Sequence, residues 1–195
     1  MKKKMDVIEQ EKKRDREYIL FLEDKVEDLQ KASRKCSMEL KNVPKIKNEN
    51  KEILSTMVTH LSSQLKVDLE TKDIKDIYRT SSKADKTPIV VEFSSYILKT
   101  DLMNAAKKYN IMNKNNKLNA SHLGQQSNST PIYLSDHLTQ KGSRLFYLAR
   151  ELSKAQNYKY CWTSLGNVFI RKDENAPIIK IINESQIQRL SENIK

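Results

Sequence analysis

A chain of 195 residues, 37% hydrophobic and 31% charged, is long enough for two modest cores and too polar for one large one. Its 36 Lys and Arg against 25 Asp and Glu leave a formal charge of +11, which points to a polyanionic partner. Nucleic acid comes first, an anionic membrane surface second, and a merely solvated lysine-rich surface is the bland alternative. The absence of any run of about 18 apolar residues excludes a membrane-spanning helix. Two distant cysteines, Cys36 and Cys161, and an opening Met1-Lys2-Lys3-Lys4 with no secretory apolar core predict an intracellular protein, in cytoplasm or nucleus, with reduced thiols.

Residues 1–35 form the first unit. From residue 5 onward it lacks Gly and Pro, and Met5, Ile8, Ile19, Leu22, Val26 and Leu29 fall on one three-four spacing. This predicts a helix that self-associates as a coiled coil through residues 5–33, as a homodimer or homotrimer. Lys12 and Asp15 at seam positions keep it short. A single amphipathic helix packed on the rest of the chain would give the same stripe.

Residues 36–123 read as strand, helix, strand, strand, helix and a weak last strand. Ser37–Val43 is stopped by Pro44, and Asn48 or Asn50 caps a helix with Leu54, Met57, Val58, Leu61 and Leu65 inward. Strands Asp73–Arg79 and Pro88–Phe93 flank a polar loop, Ser81–Lys86. A helix from Leu98 to Tyr109, with Leu102, Ala105 and Ala106 inward, completes a βαββαβ order. The expected fold class is therefore α+β: an N-terminal coiled-coil helix, a ferredoxin-like (RNA-recognition-like) domain, and a small α+β C-terminal domain. The polar stretch from Asn110 to Thr130 reads as connecting chain with little core, and 124–130 as the linker.

Residues 131–195 make the last unit: a strand at Ile132–Leu134, a helix from Ser143 to Gln156, a hairpin from Tyr158 to Lys172 turning at Leu165-Gly166, a strand from Ile178 to Ile182, and a helix capped by Asn183 or Ser185 with Ile187, Leu190 and Ile194 inward.

Positive charge is concentrated outside the first unit, at +1 over residues 1–40, +6 over 41–124 and +4 over 125–195. On the Ser143 helix, Arg144, Tyr147, Arg150 and Lys154 oppose the apolar Leu145, Leu148, Ala149 and Leu152. Guanidinium groups fork onto phosphate, and a tyrosine among them offers a stacking surface, so this face is a candidate for single-stranded RNA or DNA. The hairpin adds Lys159, Tyr160, Arg171 and Lys172. Of its aromatics Tyr158, Tyr160 and Trp162, at least one should be core, with Trp162 the first choice for that role.

Catalysis is not indicated. Ser135-Asp136-His137 are neighbours in sequence and cannot form a Ser-His-Asp relay, and three glycines make no phosphate-cradling loop. His60, His122, His137, Cys36 and Cys161 show no metal-ligand spacing, so neither metal nor cofactor is expected.

The segments Pro131–Thr139, Arg144-Leu145-Phe146-Tyr147-Leu148-Ala149-Arg150, Tyr158-Lys159-Tyr160-Cys161-Trp162-Thr163 and Gly166–Lys172 resemble the C-terminal domain of the baculovirus few-polyhedra (FP) protein family, which has insect relatives. Upstream, the order of coil, Cys36–Pro44, long helix, Ile77-Tyr78-Arg79 and Pro88–Phe93 resembles the first-open-reading-frame proteins of LINE retrotransposons. Those are trimeric coiled-coil nucleic-acid chaperones, and the resemblance implies Arg79, Arg144, Arg150 and Arg171 near a bound single strand. The alternative function is a viral or host protein-interaction scaffold that binds no nucleic acid.

Overall fold

The computed structural model describes residues 2–80, 87–125 and 129–192. The polar loop expected at Ser81–Lys86, most of the middle of the 124–130 linker and the inward Ile194 fall outside the described residues.

Helix α1 runs from Lys2 to Ser33, as a stretch without helix breakers should. Its apolar stripe is not packed on the rest of the chain. Ile19, Leu22, Val26 and Leu29 are 54%, 43%, 52% and 71% exposed, and no described residue covers them. The alternative expectation, a stripe packed on the rest of the chain, is therefore not met among the described residues.

Four strands form the central sheet: β1 (Ser37–Lys41), β2 (Ile74–Arg79), β3 (Ile89–Phe93) and β4 (Tyr133–Asp136), in the order β2-β3-β1-β4 with every neighbour antiparallel. Helices α2 (Lys51–Gln64) and α3 (Tyr96–Met112) connect them in βαββαβ chain order. Strand alternation sends Met38, Leu40, Ile89, Val91 and Phe93 to one face, where they meet Leu54, Met57, Val58 and Leu61 of α2 and Leu102 and Ala106 of α3. The cap of α2 is Asn50, whose Oδ1 accepts from the Ile53 N–H at 2.9 Å, and Ser95 caps α3.

Two sequence expectations change here. The strand assigned to the start of the C-terminal unit is instead β4, the fourth strand of the central sheet, paired with β1 through Leu40↔Leu134 and Met38↔Asp136. The stretch from Asn113 to Gln125 contributes core despite its polarity: Leu118, Ala120 and Leu123 are buried against α2. Its asparagines stabilise local turns rather than mark loose chain. Asn110 Oδ1 accepts from the Leu118 N–H, and Asn119 Oδ1 accepts from the Ser121 N–H.

A second core follows. Helix α4 (Gln140–Ala155), capped by Thr139, packs Leu145, Ala149 and Leu152 on an antiparallel sheet of β5 (Tyr160–Ser164), β6 (Asn167–Arg171) and β7 (Ile179–Ile181). Helix α5 (Glu184–Glu192), whose first-turn Gln186 N–H donates to Asn183 Oδ1, adds Ile187. The whole is α+β, and among the described residues no helix is long and apolar enough to cross a membrane.

The β5–β6 turn needs positive φ at both central residues, and Leu165 and Gly166 adopt +53° and +72°. Glycine takes that conformation freely, whereas leucine does so at a cost of about 1–2 kcal/mol. Leu165→Asn is therefore expected to raise stability by roughly 0.5–1 kcal/mol in urea unfolding, since asparagine tolerates the left-handed region and Leu165 is 48% exposed.

The end of α1 is fastened to this second unit. Thr139 Oγ1 donates to the buried Glu27 carboxylate at 2.8 Å while accepting from the Gly142 N–H. Lys31 Nζ donates to Asn167 Oδ1 at 3.4 Å, Arg34 donates to the Leu138 carbonyl, and Lys141 pairs with Asp24. His137 lies beside this fastening, half-buried, with Glu39 at 4.0 Å. Burial first, then the positive charges of Arg34, Lys99 and Lys41, lower its pKa from 6.5 against the opposing pull of Glu39. The unfolded chain therefore takes up this proton first as pH falls, so stability should decline below about pH 6.5 and level off beneath the folded-state pKa. His137→Gln should flatten that decline in denaturation curves taken across the range.

Candidate nucleic-acid interface

The small sheet has two unlike faces because its register pairs like with like. Cys161↔Ile170 and Thr163↔Val168 alternate with Tyr160↔Arg171 and Trp162↔Phe169. Val168, Ile170 and Ile181 face α4 and are buried. Tyr160, Trp162, Phe169 and Arg171 point the other way by alternation, and Lys180 follows them on β7 beside Phe169.

On that open face the Trp162 and Phe169 rings stack, with centroids 5.6 Å apart and planes 21° from parallel. A shallow groove of about 360 Å³ runs along it, with Lys107 of α3, Tyr160, Trp162, Arg171 and Ile178 among its lining. The expectation that Trp162 belongs to the core is thereby corrected. Tyr158 packs against the second core, and Trp162 remains half-buried on the opposite side.

The predicted residues divide between two surfaces. Lys159, Tyr160, Arg171 and Lys172 lie along the hairpin. Lys159 is exposed and pairs with Glu174, and its ammonium lies 5.4 Å from the Tyr160 ring centre. Tyr160 donates its hydroxyl to Glu174 Oε1 at 2.8 Å. Arg171 is partly committed to its own loop, donating through Nε to the Ala176 carbonyl at 2.7 Å and through Nη2 to the Glu174 carbonyl. Lys172 is exposed at the strand end.

Arg144, Tyr147, Arg150 and Lys154 occupy the solvent side of α4, which is the far side of the domain from the open sheet face. All four are exposed, Tyr147 by 58%. Arg144 lies 3.4 Å from Glu184, Lys154 pairs with Glu151 at 2.8 Å, and the Arg150 guanidinium sits 5.8 Å from the Phe146 ring centre. These are weak surface pairings that a phosphate could replace.

Arg79 does not belong with them. Its guanidinium grips Glu49 through Nε at 2.6 Å and Nη2 at 2.7 Å, and Nη1 donates to the carbonyls of Val43 and Thr87. Both side chains are under 10% exposed. A buried carboxylate and two carbonyls take four of its five N–H groups, so Arg79 is a structural residue and is withdrawn from the interface.

The helix-free face of the central sheet also carries two exposed rings by the same alternation, Tyr78 of β2 and Tyr133 of β4, 42% and 58% exposed. It presents Glu39 and Lys41 on β1 and Glu92 on β3, with Glu39 paired to Lys41 and Glu92 to Lys75. Its charged groups neutralise one another, which leaves little net attraction for phosphate.

Residues 139–191 match the family model Baculovirus FP protein domain 2. The limits of that match, from the Thr139 cap into α5, are those of the second core. The FP-like domain is thus the segment in which the resemblance drawn from the residues is borne out. No curated protein matches the chain, and the upstream likeness to LINE proteins has no counterpart in these comparisons.

Sequence reasoning passes over Trp162, Phe169 and Lys107 as site residues. The first two are within its reach, because a two-residue turn at Leu165-Gly166 fixes Trp162 opposite Phe169. Lys107 comes from another unit and carries no local signal.

Proposed function

We propose that this chain binds single-stranded RNA or DNA along the open face of its FP-like domain and self-associates through α1. The observation that carries this reading is the stacked Trp162–Phe169 pair, left facing outward beside a groove edged by Lys107, Lys159 and Arg171. Aromatic rings on a strand face stack unpaired bases with little regard to sequence, and surrounding cations hold the backbone. A formal charge of +11 supplies long-range attraction.

The uncovered stripe of Ile19, Leu22, Val26 and Leu29 supports a coiled coil between copies. Several heads on one stalk then act on one strand, converting weak contacts into avidity. The arrangement is that of a chaperone or coat for single strands rather than a catalyst.

The test is fluorescence anisotropy of a labelled oligothymidylate of roughly 30 nucleotides, longer than the 4–16 one compact site covers. Binding should weaken steeply with salt. Lys107→Ala, which removes a cation of the groove, should reduce the logarithmic salt slope by about 0.7, whereas Arg144→Ala/Arg150→Ala, on the far side of the domain, should leave it unchanged. Absence of binding at low salt would overturn the reading and leave the protein-interaction scaffold.

A further inference from the structure

On the strength of that reading, we propose that Lys159 and Tyr160 form a backbone-phosphate subsite at the edge of the groove, that the Glu174 carboxylate occupies it in the free protein, and that strand binding displaces Glu174.

The two donors converge on one acceptor atom: Glu174 Oε1 takes both the Lys159 ammonium and the Tyr160 hydroxyl. An anionic oxygen held by a cation and a hydroxyl is chemically what a phosphodiester oxygen would be there. The subsite adjoins the bases' side of the interface, since Lys159, Tyr160 and Trp162 line one groove. Spacing along a strand requires such adjacency, with phosphate and stacking interactions alternating.

The loop is built so that only the side chain has to leave. Asp173 Oδ1 accepts from the Asn175 and Ala176 N–H groups at 2.8 and 2.9 Å, and Arg171 holds the Glu174 and Ala176 carbonyls. The backbone of the loop is therefore anchored independently of the Glu174 carboxylate, whose side chain is 61% exposed and can swing into solvent. Lys159 first, then the Tyr160 hydroxyl, hold this carboxyl well below the usual carboxylate range, to about 2, so it is charged whenever the protein is folded near neutral pH.

Displacement has a consequence for electrostatics. A lysine already neutralised by its own carboxylate releases no counterion when phosphate replaces that carboxylate. Freed of Glu174, the same lysine does.

Glu174→Gln is expected to tighten binding of labelled oligothymidylate several-fold at low salt and to steepen the logarithmic salt slope by about 0.7. Lys159→Ala should weaken binding more in the Glu174→Gln background than in the wild type. Unchanged or weaker binding by Glu174→Gln, while the wild type still binds the strand, overturns this inference and leaves the proposed function standing. Failure of both proteins to bind overturns both. Circular dichroism and urea unfolding of the exposed Glu174→Gln variant guard against a folding artefact.

Discussion

Lys99→Met is expected to lower the unfolding free energy by about 3–5 kcal/mol, the usual cost of stranding one member of a buried ion pair. Lys99 Nζ lies 2.7 Å from Asp136 Oδ1 and 3.2 Å from the Lys35 carbonyl, and the two charged side chains are 4% and 7% exposed. Removing the ammonium leaves a carboxylate buried without its counter-charge and frees the carbonyl that follows α1. Replacing both partners should be far milder: Lys99→Met/Asp136→Leu is expected to recover most of the loss, because two apolar side chains carry no unmet charge. Urea denaturation of the two single variants and the double variant measures the coupling. A single-variant loss below about 1 kcal/mol would mean that the pair is solvated and contributes like a surface bridge.

Trp162→Ala is expected to weaken binding of a single strand roughly five- to hundredfold, from ~1–3 kcal/mol of stacking on one base. The salt slope should stay where it was, because every phosphate keeps its cation. That pairing of results separates stacking from general attraction to a basic protein: a variant of Lys107 changes the slope, whereas the aromatic variant changes the intercept. Phe169→Ala should act in the same direction, and the two effects should not add, since each ring rests on the other at 5.6 Å. Stability should fall little, as Trp162 and Phe169 lie outside the core beneath α4. Unaltered affinity in both variants would remove the open face from the interface and leave the outer side of α4 as its seat.

Periodic elements are legible in the sequence and their partnerships are not. The first five elements of the central domain, strand, helix, strand, strand and helix, the α4 stripe and the hairpin all follow from local spacing, and each is present. The last strand is misplaced by sequence because Tyr133–Asp136 reads the same whether it opens a new sheet or closes an old one, and only its pairing with β1 decides. Asn110 and Asn119 disguise core chain as linker, since composition counts an asparagine as polar whether or not its amide closes a turn. For the site, sequence identifies which residues are basic or aromatic. It cannot tell Arg79, sealed on Glu49 thirty residues away, from Arg150, which is exposed. Burial of a guanidinium depends on long-range packing, which no local pattern encodes.

The fastening of α1 to the second core bears on how the protein can be divided. A fragment cut where the family match starts, at Thr139, keeps the FP-like core but discards Glu27, Lys31 and Arg34. Its leading hydroxyl loses the carboxylate it donates to, Asn167 loses its lysine, and Gly166 loses the lysine chain that packs against it. The segment matched by the family model is therefore smaller than the unit of cohesion in this molecule. Whatever pulls or twists α1 is delivered through those few bonds to the start of α4 and the tip of the hairpin.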